Sequence, residues 1–180
     1  MYWKGKMCRS QRSQRCKQLC WLAGWLVRNA CHGTIVAAAV YCKGMEDSIF
    51  TKIITGEIPC HKVYEDEHTF AFLDIHPIQP GHVLVVPKKQ VGFVWDIESA
   101  DYQALMQTVQ RVGQRIREVF PDKLRVGVMI EGLDVADHAH VKLFPFSTPE
   151  EYRHVPDMSA EPDHPALAAT AEKLRMEDVR

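Results

Sequence analysis

An α+β domain built on an antiparallel sheet is the fold class the sequence predicts, from three observations. A short capped helix opens the domain. Five strand-like runs of four to seven residues are punctuated by turn residues, and one long amphipathic stretch lies between the third and fourth of them.

Ser48 has the chemistry to cap a short helix over 49–55, where Ile49, Phe50, Ile53 and Ile54 supply an apolar face. Gly56 supplies the stop, and Pro59 prevents continuation. The runs 62–65, 69–74 and 83–87 follow, separated by acidic residues and by the turn-rich HPIQPGH of 76–82, which together predict an antiparallel meander. From 99 to 119, Leu105, Val109, Val112, Ile116 and Val119 recur at helical spacing with glutamines and Arg117 between them, which predicts the long helix. Two further strands are expected over 124–130 and 138–144, joined by EGLDVAD. The tail 150–180 is polar, carries Pro156, Pro162 and Pro165, and has one expected helix over 166–176.

The formal net charge of −1 averages two unlike pieces. Residues 1–44 hold eight Lys/Arg and no Asp or Glu, leaving 14 basic and 23 acidic residues for 45–180, a formal −9. An acidic domain offers no broad cationic face for nucleic acid, so small-molecule partners are expected. Five of the six cysteines also lie in 1–44, and a lone Cys60 cannot form a disulfide framework within the domain, which points to a reducing, cytoplasmic setting. The apolar patches of 19–27 and 34–42 are each too short to span a bilayer. The leader 1–44 reads in three ways: a targeting segment directing the chain to an organelle, a disordered tail, or translated sequence upstream of a start at Met45. Its cysteines lack the Cys-x-x-Cys spacing of a zinc module.

The segment HAHVKLFP carries the chemistry. On a strand, the period of two puts His138, His140 and Lys142 on one face and Ala139, Val141 and Leu143 on the other, so two imidazoles and an ammonium share one surface. A neutral imidazole can attack phosphorus, and neighbouring cations can offset charge on the phosphoryl oxygens. His-x-His by itself also suits a solvated strand or two ligands of a zinc site, with His76 or His82 as further ligands.

DSIFTKIITGEIP, FAFLDIHPIQPGHVLVVPKKQ and HAHVKLFP, in this order and at these separations, resemble the histidine triad family over roughly 46–146. The resemblance implies a histidine triad domain over 45–149. Its fold is a five-stranded antiparallel sheet with one long and one short helix, paired into a homodimer. It implies binding of a purine nucleotide and cleavage at the α-phosphate through a nucleotidyl-histidine intermediate, without a cofactor or metal. His140 matches the nucleophile and His138 the first histidine of the family's row. His82 matches an upstream histidine near the phosphate, and Asp74 the acid that hydrogen-bonds the ribose hydroxyls. Ile49, Phe50, Ile53, Ile58, Phe72 and Ile75 match positions that sandwich the base, although each reads equally well as core.

Departures accompany the resemblance. Lys142 stands in place of the third histidine, Gln90 in place of a histidine after the Pro-Lys pair, and Ile130 where an asparagine is common. The loop GLDVAD lacks the family's Gln and Ser near the phosphate. Lysine offers positive charge but not the neutral acceptor that imidazole provides. Two outcomes therefore stand: hydrolysis retained with Lys142 in the row, or nucleotide binding without useful turnover.

Overall fold

The computed structural model describes residues 46–132, 135 and 137–177. The leader 1–44 lies outside the described residues, and the chain from Glu46 onward forms one compact unit. Ser48 caps α1 (Ile49–Ile54), its Oγ accepting the Thr51 N–H at 3.0 Å. Strands β1 (Lys62–Glu65), β2 (Thr69–Leu73) and β3 (Val83–Pro87) form the expected meander. The long helix α2 (Ser99–Val119) intervenes before β4 (Arg125–Met129) and β5 (Val141–Phe146). These two pair as a hairpin whose second strand inserts beside β3, so the sheet is antiparallel throughout in the order β1-β2-β3-β5-β4.

Strand alternation divides the apolar residues between two sides. Ala71, Val83, Val85, Val141 and Leu143 join a core with Leu105, Val109, Val112 and Ile116 of α2, the row read from the helical periodicity. On the other side Phe70, Phe72, Leu84 and Val86 pack with Phe50 of α1 in a smaller cluster. Two short elements that the sequence did not predict, a 3-10 turn at Val94–Asp96 and α3 (Pro149–Tyr152), accompany the expected helices. The third expected helix, α4 (His164–Leu174), overlaps the tail helix expected over 166–176 and begins and ends two residues earlier. It buries Leu167, Ala171 and Leu174 in the main core, so the compact unit extends well past residue 149. No helix among the described residues is long and apolar enough to cross a membrane.

One strand begins later than the sequence suggests. The histidine strand, expected over 138–144, enters the ladder only at Val141. The register sets Val85 opposite Val141. Two steps further the partner of Ala139 would be Pro87, which has no N–H to give, so the ladder ends. The Ala139 N–H donates instead to the Val91 carbonyl, at 2.6 Å. Alternation of side chains persists through the break: Ala139 stays in the α2 core, while His138 and His140 turn toward Phe50.

Gly81, in the turn before β3, has a φ of 91°, and a Cβ there would lie 2.6 Å from the Phe120 ring at the end of α2. A side chain at this position meets both a left-handed backbone and a packed ring. Gly81→Ala is expected to lower unfolding free energy by about 2 kcal/mol or more, read as a drop in urea midpoint at unchanged m.

Candidate functional site

The site lies on the α1 side of the sheet, where β5, the residues just before it and the end of β4 come together. The three side chains expected to share one face, His138, His140 and Lys142, do so, and all are buried. The Phe50 ring packs edge-on against both imidazoles, with centroids 5.7 Å from His138 and 5.3 Å from His140. Such burial is tolerable because each of the three side chains has a polar partner.

His138 is engaged at both nitrogens. Its Nε2 lies 2.8 Å from the Pro87 carbonyl, to which it can only donate, so Nδ1 is the acceptor and takes the Ser48 hydroxyl proton at 2.7 Å. Ser48 therefore has two functions, capping α1 and fixing an imidazole 90 residues away. A second polar layer backs it. The Thr51 hydroxyl donates to Gln90 Oε1 at 2.7 Å, and the same oxygen accepts the Ser48 N–H at 3.0 Å. Burial pushes the His138 pKa below its ordinary value, against the opposing effect of the Pro87 carbonyl. With no exposed surface and both nitrogens engaged, His138 is held in place beside the next histidine of the row.

That next histidine is His140. The His140 Nδ1–H donates to the His138 carbonyl at 3.0 Å, which leaves the Nε2 lone pair as the reactive end of the ring. Lys142, opposite Leu84 of β3, forms an ion pair with Glu131, which follows β4. Its ammonium is nearly buried, so a nearby carboxylate is needed to offset desolvation.

His82 and Asp74 are brought together, but around a turn. Asp74 Oδ1 accepts the His76 N–H at 2.9 Å, and Asp74 Oδ2 lies 3.6 Å from His82 Nδ1, which accepts the Ile78 N–H at 3.2 Å. The β3–β5 register sets His82 level with Phe144, whose ring it meets at 5.6 Å, so Lys142 lies between His82 and His140 along the row. Of the apolar positions, Phe50 and Phe72 are buried and Ile53 packs against them. Ile58 is half-buried, whereas Ile49 and Ile75 are exposed, Ile75 lining a hollow with Ala166, Leu167 and Thr170 of α4.

Three functional candidates escaped the sequence reading: Thr51, Gln90 and Glu131. Gln90 was visible only as a departure from a family pattern, and its two bonds to the α1 cap are long-range. Glu131 carried no signal beyond its place two residues past a strand end.

Because folded His138 binds a proton less readily than its unfolded counterpart, the sign of its pH effect follows. Above about pH 6.5 both states are neutral and the stability is intact. As pH falls below that value the unfolded state takes up the proton first, and stability declines by up to about 1.4 kcal/mol per pH unit from this group. Urea unfolding between pH 5 and 8 should show a shallower decline in His138→Asn than in the unaltered chain.

The HIT domain family model matches residues 55–147. Over 75 residues the chain is 43% identical to Protein hit of Bacillus subtilis, covering 42% of this chain and 52% of that protein. It is 31% identical over 103 residues to an uncharacterized HIT-like protein of Chlamydia muridarum, covering 56% of this chain and 82% of its relative. The chain thus spans only about half the length of some curated relatives and most of others. Among solved structures, a Hit-like protein involved in cell-cycle regulation from Bartonella henselae superposes with a TM-score of 0.63 at 28% identity, covering 72% of this chain and 94% of its own. With the family model across more than half the chain and the same five-stranded sheet in its neighbours, this protein belongs to the histidine triad (HIT) family.

Proposed function

We propose that the protein is a nucleotide hydrolase that cleaves at the α-phosphate of purine nucleoside phosphoramidates, dinucleoside polyphosphates or related compounds. The observation that carries this reading is the His140 tautomer: Nδ1–H is held by the His138 carbonyl, so Nε2 carries the lone pair. His140 Nε2 attacks the α-phosphorus, forming a P–N bond as the bond to the leaving group breaks; the electron pair departs with the phosphate, or with the amine, which takes up a proton from water as it leaves. The nucleotidyl-imidazolium keeps its Nδ1–H bond to the carbonyl, which supports the positive ring. Water then attacks the same phosphorus, the P–N bond breaks, and the electron pair returns to Nε2 as the nucleoside monophosphate leaves. Lys142 offsets charge on the phosphoryl oxygens in both steps. Asp74, partly exposed at the end of β2, accepts hydrogen bonds from the ribose diol, and Phe50, Phe72 and their isoleucine neighbours enclose the base.

The second reading, a nucleotide-binding module without useful turnover, is favoured by Lys142 itself, whose ammonium is already paired with Glu131. A panel of adenylated and guanylated substrates separates the two. Hydrolysis predicts monophosphate release that falls by about 10³-fold or more in His140→Ala. Release that is absent, or indifferent to His140→Ala, removes the enzyme reading, and AMP or GMP binding by calorimetry without product then supports the module.

Two copies of the chain are proposed to pair along β4. It is an edge strand of the sheet, and Leu124, Val128 and Ile130 on and beside it are exposed. An apolar sheet edge left to water invites strand pairing. Sedimentation should show a dimer, and Val128→Lys, which places a charge on that edge, should shift it toward monomer; a monomer at all concentrations would remove this proposal.

A further inference from the structure

We propose that Glu131 is the counter-charge of the phosphate site: it holds Lys142 in an ion pair that an incoming phosphate must displace, and thereby sets how tightly the site takes anions. The proposal rests on the nucleotide reading above and adds a residue to it.

The placement comes from strand register. The β4–β5 ladder ends by pairing Met129 with Lys142, and Glu131 follows two residues beyond that pair, its carboxylate on the Lys142 ammonium. The carboxylate therefore contacts the lysine that lies next to His140 in the row. A phosphoryl group in reach of His140 Nε2 has to enter the space this carboxylate borders.

The two partners differ in freedom. Lys142 belongs to a strand paired on both sides, and its side chain is only 8% exposed, so its ammonium stays in the site. Glu131 follows the last ladder pair and its side chain is 25% exposed, so it is the partner that can turn outward to water. With Glu131 in place the pair is neutral overall and the buried ammonium is compensated. When an anion arrives, the cation exchanges one oxyanion for another, and the displaced carboxylate gains solvation. Breaking the Lys142–Glu131 attraction opposes the exchange, so Glu131 lowers affinity for anions through the lysine it occupies.

Calorimetric titration with AMP of the full chain and three variants tests this. Glu131→Gln should bind AMP about tenfold tighter than the unaltered protein. In a Lys142→Met background, adding Glu131→Gln should change AMP affinity by less than about twofold, because the gain depends on the lysine that the carboxylate occupies. Should Glu131→Gln fail to fold, Glu131→Asp keeps the charge but withdraws it by one methylene, and should tighten AMP binding about threefold. Equal or weaker AMP binding by the folded Glu131 variants, or an undiminished gain in the Lys142→Met background, overturns the assignment while leaving nucleotide binding intact. If neither the unaltered protein nor any variant binds AMP, the nucleotide reading fails and this assignment falls with it.

Discussion

The pairing of β3 with β5, and its end at Pro87, is the constraint on which the site depends. Antiparallel pairing at Val83, Leu84 and Val85 fixes which residues of the HAHVKLFP segment face α2 and which face α1. Pro87 then stops the ladder without stopping the alternation. Its carbonyl, no longer opposite a paired N–H, becomes the acceptor for His138 Nε2. A proline that reads in sequence as the end of a strand thus supplies the anchor for the first histidine of the row.

From that anchor a chain of hydrogen bonds leads to His140. Pro87 and Ser48 fix His138, the His138 carbonyl fixes His140, and Gln90 braces the α1 terminus from which Ser48 projects. Each member is buried or partly buried, where an unsatisfied donor would cost about 1–3 kcal/mol, so the network favours one tautomer and one ring orientation. The site is thereby organised before any ligand enters it. The Lys142–Glu131 pair follows the same logic for charge, compensating a cation that the sheet has already taken out of water.

The second apolar cluster ties this organisation to the fold. Phe50 belongs to the helix that Ser48 caps, and its ring closes over both imidazoles while packing on Phe72 at 5.6 Å. One short helix of six residues therefore delivers the cap, the cover and the bond to His138. Helix α4 plays a separate structural part, closing the opposite core with Leu167, Ala171 and Leu174.

Local patterns were sufficient for the elements themselves. The period of Leu105, Val109, Val112 and Ile116 located α2 at its observed bounds, Ser48 and Gly56 framed α1, and the alternation in HAHVKLFP separated core from site residues. These features depend on spacings of two to four residues, which a sequence displays directly. What the tertiary structure decided was partnership between distant residues. Ser48 meets His138 across 90 positions, Gln90 meets Thr51 across 39, and the β4–β5 register brings Glu131 to Lys142. The sequence by itself determined which side chains could do phosphate chemistry and on which face they lie. Only the folded sheet decided that both His138 nitrogens are engaged, that the His140 Nδ1–H is held by a backbone carbonyl, and that Lys142 pairs with Glu131, because hydrogen-bond and ion-pair partners are set by proximity in space.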